Sequence, residues 1–499
     1  MIVVIGGGVT GLAAAHKLAE LGYAKETVLL EASGRLGGAL RSERRGDFLL
    51  EHGPDAFLTE KPWALDLCRR AGIGDDVIGT NPDCRRSFIL RNGRLHAVPE
   101  GFYLMAPAKV IPFLESSLLS WRAKIRLYFG DRFLVPRRTD GREESLAQFV
   151  TRRFGSDTLN FLAQPLVAGI TTANPEKLSL EAVFPKFIEL ERKYGSVIKG
   201  LRLARRAAAA AAAAAGQSGS SDQDTSGARY GLFATLKNGM QGLVDAVAGR
   251  LNPSRVRLNT PVDSMIPFRG GWEVYLPSGR PERGPKLDAT HVIVALPAWG
   301  AAEVLATTDA DLTKMLRRIP YASTLTVNLA YDRYRMRTSL AGMGFVVPAA
   351  EKRRILACTY ASTKFAGRAP ADKALLRVFM GGACRPELAE VDDAEAVRIA
   401  AEEASLTLAA SGPPLFSSVA RHPRSLAQFH LGHKDRVAEI RRLAGRYAGL
   451  ILAGNYFEGG GIPNCVHAGE QAAEAVAADL AKRADAGPAQ KPAPAATAH

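Results

Sequence analysis

The chain opens with a short apolar run, Ile2-Val3-Val4-Ile5, that leads straight into Gly6-Gly7-Gly8-Val9-Thr10-Gly11. Few openings restrict a fold more tightly. A strand followed by glycines at this spacing must turn sharply, and the missing side chains let a pyrophosphate lie against the backbone at a helix N-terminus. The helix expected next, Leu12 to Leu21, is closed by Gly22. A second apolar run, Val28-Leu29-Leu30, ends at Glu31, twenty residues beyond Gly11, where an acidic side chain takes ribose hydroxyls. Strand, turn, helix, strand and acid predict a whole dinucleotide-binding β-α-β unit. A glycine-rich structural turn is the plainer alternative, and its neighbours stand against it.

The residues after Glu31 select the cofactor. Arg35-Leu36-Gly37-Gly38 repeats the tight-turn chemistry, and Glu51-His52-Gly53-Pro54-Asp55 closes another Gly/Pro turn after Phe48-Leu49-Leu50. Nicotinamide enzymes seldom carry this extension. The segment resembles the two-dinucleotide flavoprotein superfamily, which includes monoamine oxidases and phytoene desaturases, so FAD is the expected cofactor.

A chain of 499 residues is too long for one core, and two or three domains are expected. The five cysteines show no paired spacing and the nine histidines no cluster, so neither disulfides nor a metal site is expected. The nucleotide turn occupies the place of a secretory signal, and no apolar run approaches the roughly 18 residues of a bilayer span. Cytoplasmic residence is the expectation. The net charge of +15 is dispersed and no nucleic-acid module is present, so nucleic acid is not an expected partner. Anionic lipid headgroups or a polycarboxylate substrate fit that charge, as does a merely solvated basic surface.

The expected fold is multidomain, α/β and α+β: a discontinuous Rossmann-like FAD domain, a mixed-sheet substrate domain and a helical, membrane-associating subdomain. Residues 1–81 form the first part of the FAD domain. At 82–102 the substrate domain begins with two strands joined at Asn92-Gly93. Residues 103–206 read as helical, with apolar clusters beside Arg122, Lys124 and Arg126 that suit an interfacial helix or an ordinary inward-packed one. A nine-alanine run opens a linker at 207–228. The FAD domain returns at 229–297 and 419–482, the substrate domain at 298–418, and the tail 483–499 is expected to be disordered.

Several segments together resemble the oxygen-dependent protoporphyrinogen or coproporphyrinogen III oxidases of haem synthesis. They are Gly53-Pro54-Asp55-Ala56-Phe57-Leu58, Leu95-His96-Ala97-Val98-Pro99-Glu100-Gly101, Gln164 to Ile170, Pro175 to Ser179, Gly344 to Pro348, and Gly454-Asn455-Tyr456 continuing to Gly461-Ile462-Pro463-Asn464-Cys465. Amine oxidases share only the outer blocks. The resemblance implies noncovalent FAD, with Gly6 to Gly11 at the pyrophosphate, Glu31 at the ribose and Gly53 to Ala56 near the flavin. Val256 would meet the adenine by its backbone, Gly461, Ile462 and Pro463 would lie at the isoalloxazine, and Ala32 and Ala39 join the cofactor set. It further implies hydride removal from a methylene bridge in three cycles, each reoxidised by O2 with release of peroxide, without a catalytic side chain. Gly169 would lie against the tetrapyrrole, with Gly344 and Phe345 as a pocket wall. Animal members place an arginine where Ser87 stands, and Arg86, one residue away, is the candidate propionate anchor although a strand would turn it to the other face. Whether coproporphyrinogen III or protoporphyrinogen IX is the substrate stays open, with a lean to the former; oligomeric state is unassigned. A flavin amine oxidase with Tyr456 and Phe457 as aromatic cage, a carotenoid desaturase, and a flavin-binding membrane or assembly protein without turnover are the rival readings.

Overall fold

The computed structural model describes residues 1–109, 111–134, 141–214, 233–277 and 284–485. Five parallel strands form the cofactor sheet in the order Val256–Arg257, Thr27–Leu30, Ile2–Ile5, His291–Val294, Leu450–Leu452. The run Ile2-Val3-Val4-Ile5 is buried throughout because both faces of the sheet are covered. Ile2 and Val4 face a core shared with the helices Val9–Glu20, Gln241–Ala248 and Ile462–Asp485, while Val3 and Ile5 face one shared with Ala298–Val304, Ala310–Arg317 and His433–Ala444. The helices Val9–Glu20 and Ile462–Asp485 touch at Gly469, where a Cβ would stand 2.2 Å from the Thr10 carbonyl. Sequence-distant ends of the chain therefore meet beside the nucleotide turn.

A seven-stranded mixed sheet runs in the order Phe416–Ala427, Tyr321–Asp332, Lys373–Gly381, Ala357–Tyr360, Gly344–Val346, Ser87–Arg91, Arg94–Ala97. Its last two strands are joined by Asn92 and Gly93, both at positive φ, as a tight two-residue hairpin turn demands. The strand Phe416–Ala427 crosses the boundary expected at 419, so that boundary shifts: its pairing with Tyr321–Asp332 keeps residues up to 427 in this sheet. One face packs Leu325, Val327, Phe345 and Tyr360 against the helix Asp393–Leu408. The other face turns toward the cofactor segment.

The helical region is built on a separate core holding Phe102, Phe113, Leu127, Phe149, Phe154 and Phe187. At its centre Arg153 is fully buried, bonded to Glu191 at 2.9 Å and to the carbonyls of Asp131 and Gly195 at 3.1 Å. Asp131 in turn accepts from the Ser196 hydroxyl and from the amides of Val197 and Ile198, which anchors the start of the helix Val197–Ala214. The alanine run expected to open a linker at 207 instead prolongs this helix, in keeping with alanine's high helix propensity. The remainder of the expected linker and tail residues 486–499 lie outside the described residues; 483–485 complete the last helix. Among the described residues no helix is long and apolar enough to cross a membrane, and no group of His, Cys, Asp or Glu is arranged to hold a metal.

The two sheets are joined at residues 51–55. Asn328 donates to the Glu51 carbonyl at 3.3 Å, His422 to the His52 carbonyl at 2.8 Å, and Arg377 to the Gly53 carbonyl. The Asp55 carboxylate accepts from Lys364 at 2.8 Å and lies 3.7 Å from Arg377. Burial alone would raise the Asp55 pKa, but Lys364 and Arg377 outweigh it and hold it at about 2. A carboxyl depressed in this way adds stability above its ordinary value of 3.8 and loses it as pH falls toward 2. Lys364→Met should let Asp55 protonate at higher pH, moving the acid-unfolding midpoint upward. Asp55→Asn should cost about 3 kcal/mol at neutral pH by leaving Arg377 without its counter-charge. Urea unfolding followed from pH 7 to 2 measures both; an acid limb identical in wild type and Lys364→Met would contradict the assignment.

Candidate active site

Each glycine of the opening turn has its own steric reason. A Cβ on Gly11 would stand 1.8 Å from the Gly6 carbonyl oxygen, and one on Gly6, at φ +105°, 2.6 Å from that of Ala295. A Cβ on Gly8 would meet nothing within 4 Å: this is open space, directly before the helix Val9–Glu20. Gly8 is the N-cap residue, no side chain caps that end, and no acidic residue occupies the first turn. The positive end of the helix dipole is thus free to face an anion, with Val9 and Thr10 in its first turn.

The second glycine turn lies against the first. Gly37 donates to the Gly7 carbonyl at 2.8 Å, and a Cβ on Gly38 would come 3.3 Å from the Gly8 Cα. Arg35 holds this loop by donating to the carbonyls of Leu40 at 2.9 Å, Leu36 at 3.1 Å and Gly38. Exposed Ala39 is brought against Gly53, where a Cβ would stand 1.7 Å from the Ala39 carbonyl oxygen. Glu31 ends its strand with one carboxylate oxygen on the Gly7 amide at 2.7 Å and the other on the Ser33 amide at 2.8 Å. Val256 pairs with Leu29 on the outer strand, and Arg257 accepts the Glu31 amide at 2.9 Å, so Val256, Glu31 and exposed Ala32 border one end of the sheet. These open glycines and uncapped amides fit an extended dinucleotide.

At the other end of this path, Gly461 is exposed while Ile462 and Pro463 are buried at the start of the last helix. Lys61 bonds Asn464 at 2.6 Å, and Trp63 stacks on His467 with centroids 3.8 Å apart, tying the segment after Ala56 to that helix. Cys465 is pushed up to about 11 by burial, against a hydrogen bond from Thr10. A thiol held neutral is a poor candidate for a covalent tether. Tyr456 is fully buried in the core below the cofactor sheet, tilted against Phe457 at 4.3 Å. That placement removes it from an aromatic cage around a substrate.

Strand register sorts the expected substrate-binding residues onto the two faces of the large sheet. Ser87 pairs with Gly344, Gly344 with Thr359, Thr359 with Arg377, and Arg377 with Asn328, so these five residues form one transverse row on one face. It is the face whose Arg377 and Asn328 hold residues 51 and 53. Gly344, at φ +134°, could not carry a side chain, because a Cβ would stand 2.1 Å from the Cys358 carbonyl oxygen. Gly169 lies over the same strand, with a built Cβ 3.1 Å from Val346, and Gln164 fixes its helix by accepting the Ala349 amide at 3.0 Å. Gly169 and Gly344 therefore sit on one surface, but two expected members do not. Phe345 is 3% exposed and packs on Tyr360 under the helix Asp393–Leu408, because strand alternation turns it to the opposite face; Val346 takes the place expected of it. Arg86 is exposed, lies just outside the strand, and is one residue out of step with the row. Arg91 has the matching parity, and its guanidinium covers the Phe161 ring at 4.1 Å.

Between the row and residues 51–55 lies a recess of about 10 Å³ whose polar lining is Glu51, Asp55, Asn328, Arg368 and Arg377. Asn328 Oδ1 and Arg377 Nε have no protein partner there, and the space suits one water. His52 and His422, beside it, are both shifted down by burial and stay neutral. Asp55 is ionised but engaged. The sequence offered no sign of Lys364, Arg377, Asn328 or His422, which lie some three hundred residues from the turn they hold.

Residues 9–477 match the family of flavin containing amine oxidoreductases. The chain is 32% identical over 476 residues to the coproporphyrinogen III oxidase of Bacillus subtilis (strain 168), covering 94% of this chain and 96% of that protein. It is 29% identical over 500 residues to the chloroplastic protoporphyrinogen oxidase of Oryza sativa subsp. japonica, covering 97% and 89%. Its fold matches, with a TM-score of 0.81 and 26% identity, a crystal structure from Exiguobacterium sp. 255-15 provisionally named protoporphyrinogen oxidase, over 96% of this chain and 98% of that one. The chain thus belongs to the flavin-containing amine oxidoreductase family, with FAD as its cofactor.

Proposed function

We propose that this protein oxidises a porphyrinogen to the porphyrin in haem biosynthesis, by six electrons, with O2 as acceptor and H2O2 as by-product. Coproporphyrinogen III is the preferred substrate in this reading and protoporphyrinogen IX the alternative. The observation that carries it is the surface shared by Gly169, Gly344 and Val346. These come from the internal segments that resemble the porphyrinogen oxidases, and they lie on the face whose Asn328 and Arg377 hold residues 51 and 53.

Bound FAD would supply hydride acceptance from a methylene bridge of the substrate. The chain supplies place and surroundings. Gly6, Gly7, Gly8, Val9, Thr10 and Gly11 would cradle the pyrophosphate, Glu31 with Ala32 the ribose, Val256 the adenine, and Ala39, Gly53 to Ala56 and Gly461 to Pro463 the ring system. Gly169 and Gly344 would let a flat macrocycle approach the backbone. Around the recess, Asp55 is ionised and bonded to Lys364, His52 to Glu43 and His422 to the His52 carbonyl, so these groups serve to hold residues 52–55 in place. In this reading the protein works from the cytoplasm, on the inner face of the plasma membrane. Support for a membrane surface comes from Trp121, Ile125 and Phe129, left in solvent along one helix.

Anaerobic addition of coproporphyrinogen III should bleach the flavin absorbance, whereas primary amines should leave it unchanged; the reverse result overturns the reading. In air the same substrate should yield porphyrin fluorescence with three equivalents of peroxide. Glu31→Gln should weaken FAD retention about tenfold, since it removes one charge-assisted hydrogen bond. Unchanged flavin content after desalting would contradict the ribose contact. Gly169→Val should raise KM for the porphyrinogen while leaving flavin content intact, and an unaltered KM would remove Gly169 from the substrate surface.

A further inference from the structure

The helix Trp121–Phe129 has two unlike sides. Inward, Ala123 and Leu127 are buried, and Lys124 is drawn in to donate to the Leu114 carbonyl at 2.6 Å. Outward, Trp121, Ile125 and Phe129 recur at every fourth residue and continue to Phe133, with exposures of 66%, 56%, 47% and 66%. Rings at this spacing form one ridge: Phe129 and Phe133 have centroids 6.1 Å apart, and Tyr128 meets Phe129 edge-on at 5.4 Å. Ile111, 71% exposed, adds to the apolar surface of this region. An exposed apolar ridge of large side chains marks an interaction surface.

Tyr128 is also a wall of a groove of about 250 Å³ whose floor includes Ser196 and Leu203 and whose cations are Lys199, Arg202 and Arg206. These three lie three and four residues apart on the helix Val197–Ala214, so they share one face. Among the described residues no carboxylate lines the groove. The nearby Asp131 is already taken up by the Ser196 hydroxyl, the amides of Val197 and Ile198, and Arg153, and does not neutralise it. An apolar ridge and a cationic groove therefore adjoin through Tyr128.

Charge decides between occupants. In a two-fold dimer the patch would meet its own copy, bringing two cationic grooves together on a chain of net charge +15. An anionic bilayer answers both halves, with phosphates for the arginines and a boundary region for tryptophan and phenylalanine. Resting on the membrane reading above, we propose that this groove holds the phosphate of an anionic phospholipid headgroup while Trp121, Ile125, Phe129 and Phe133 enter the acyl boundary beside it. Docking then has one orientation, fixed by the Tyr128 junction.

The test uses FAD-loaded full-length protein and vesicles of phosphatidylcholine with roughly one-third phosphatidylglycerol, against phosphatidylcholine alone. Wild type should sediment with the anionic vesicles only. Replacing Lys199, Arg202 and Arg206 together by Gln should weaken this about 100-fold, at about a factor of five per cation. Trp121→Ser with Phe129→Ser should lose binding as well, and acyl-brominated phosphatidylglycerol should quench the Trp121 part of the wild-type emission, a loss that Trp121→Phe does not show. Flavin content and anaerobic bleaching should be unchanged in all variants, which shows that they fold and keeps this test separate from that of the activity. Full binding by the triple Gln variant with loss in the Trp121/Phe129 variant would overturn the groove and leave the membrane reading standing. Absence of wild-type binding to either vesicle would overturn both.

Discussion

The arrangement depends on one contact, the grip of the large sheet on the backbone of residues 51–55. Asn328, His422 and Arg377 take three successive carbonyls there, and Lys364 with Arg377 takes the Asp55 carboxylate. Hydrogen bonds to charged donors in a buried setting are strong, and removing one partner strands the other. The segment they hold is also pressed against Ala39, and through that loop against Gly37 and the opening turn. The proposed cofactor path and the proposed substrate surface are therefore fixed relative to each other by the same few side chains. Asp55, proposed as a cofactor contact, is also the strut that joins the two.

Such a joint suits a reaction in which the protein places a large reduced ring against a flavin. The row Ser87, Gly344, Thr359, Arg377, Asn328 runs across five paired strands from the hairpin to the strut. Small residues at Gly169 and Gly344 leave backbone, rather than side chains, at the surface a flat substrate would approach. Specificity then rests on shape and on the strand register that keeps the row in line.

What the sequence disclosed was local. The nucleotide turn, the helix after it and the Asn92-Gly93 hairpin are each specified by neighbours within a few residues, and they form as the pattern requires. Long-range facts were hidden. Phe345 looked like a pocket wall because its segment belongs there, but only the pairing of Phe345 with Phe88 and Cys358 shows that it points to the helix-covered face. Arg377 and Lys364 carry no motif, since their meaning lies in a partner far away in the chain. The alanine run was ambiguous because nothing in it needs burying, and propensity together with the Asp131 anchor upstream decided for helix. The ridge at Trp121, Ile125 and Phe129 has a helical period, but which side of that helix meets the core is settled by Ala123 and Leu127 only in three dimensions.

The central claim is that a single extended flavin nucleotide joins these segments and that the porphyrinogen lies across the row beside it. Amide hydrogen exchange, compared between apoprotein, FAD-loaded protein and FAD-loaded protein with coproporphyrin III, tests it most directly. FAD should protect residues 6–11, 36–40, 53–56 and 459–464 together, and the porphyrin should add protection at 164–171 and 344–347. Protection by FAD confined to one of these segments, or porphyrin protection appearing on the Asp393–Leu408 side of the sheet, would contradict the account.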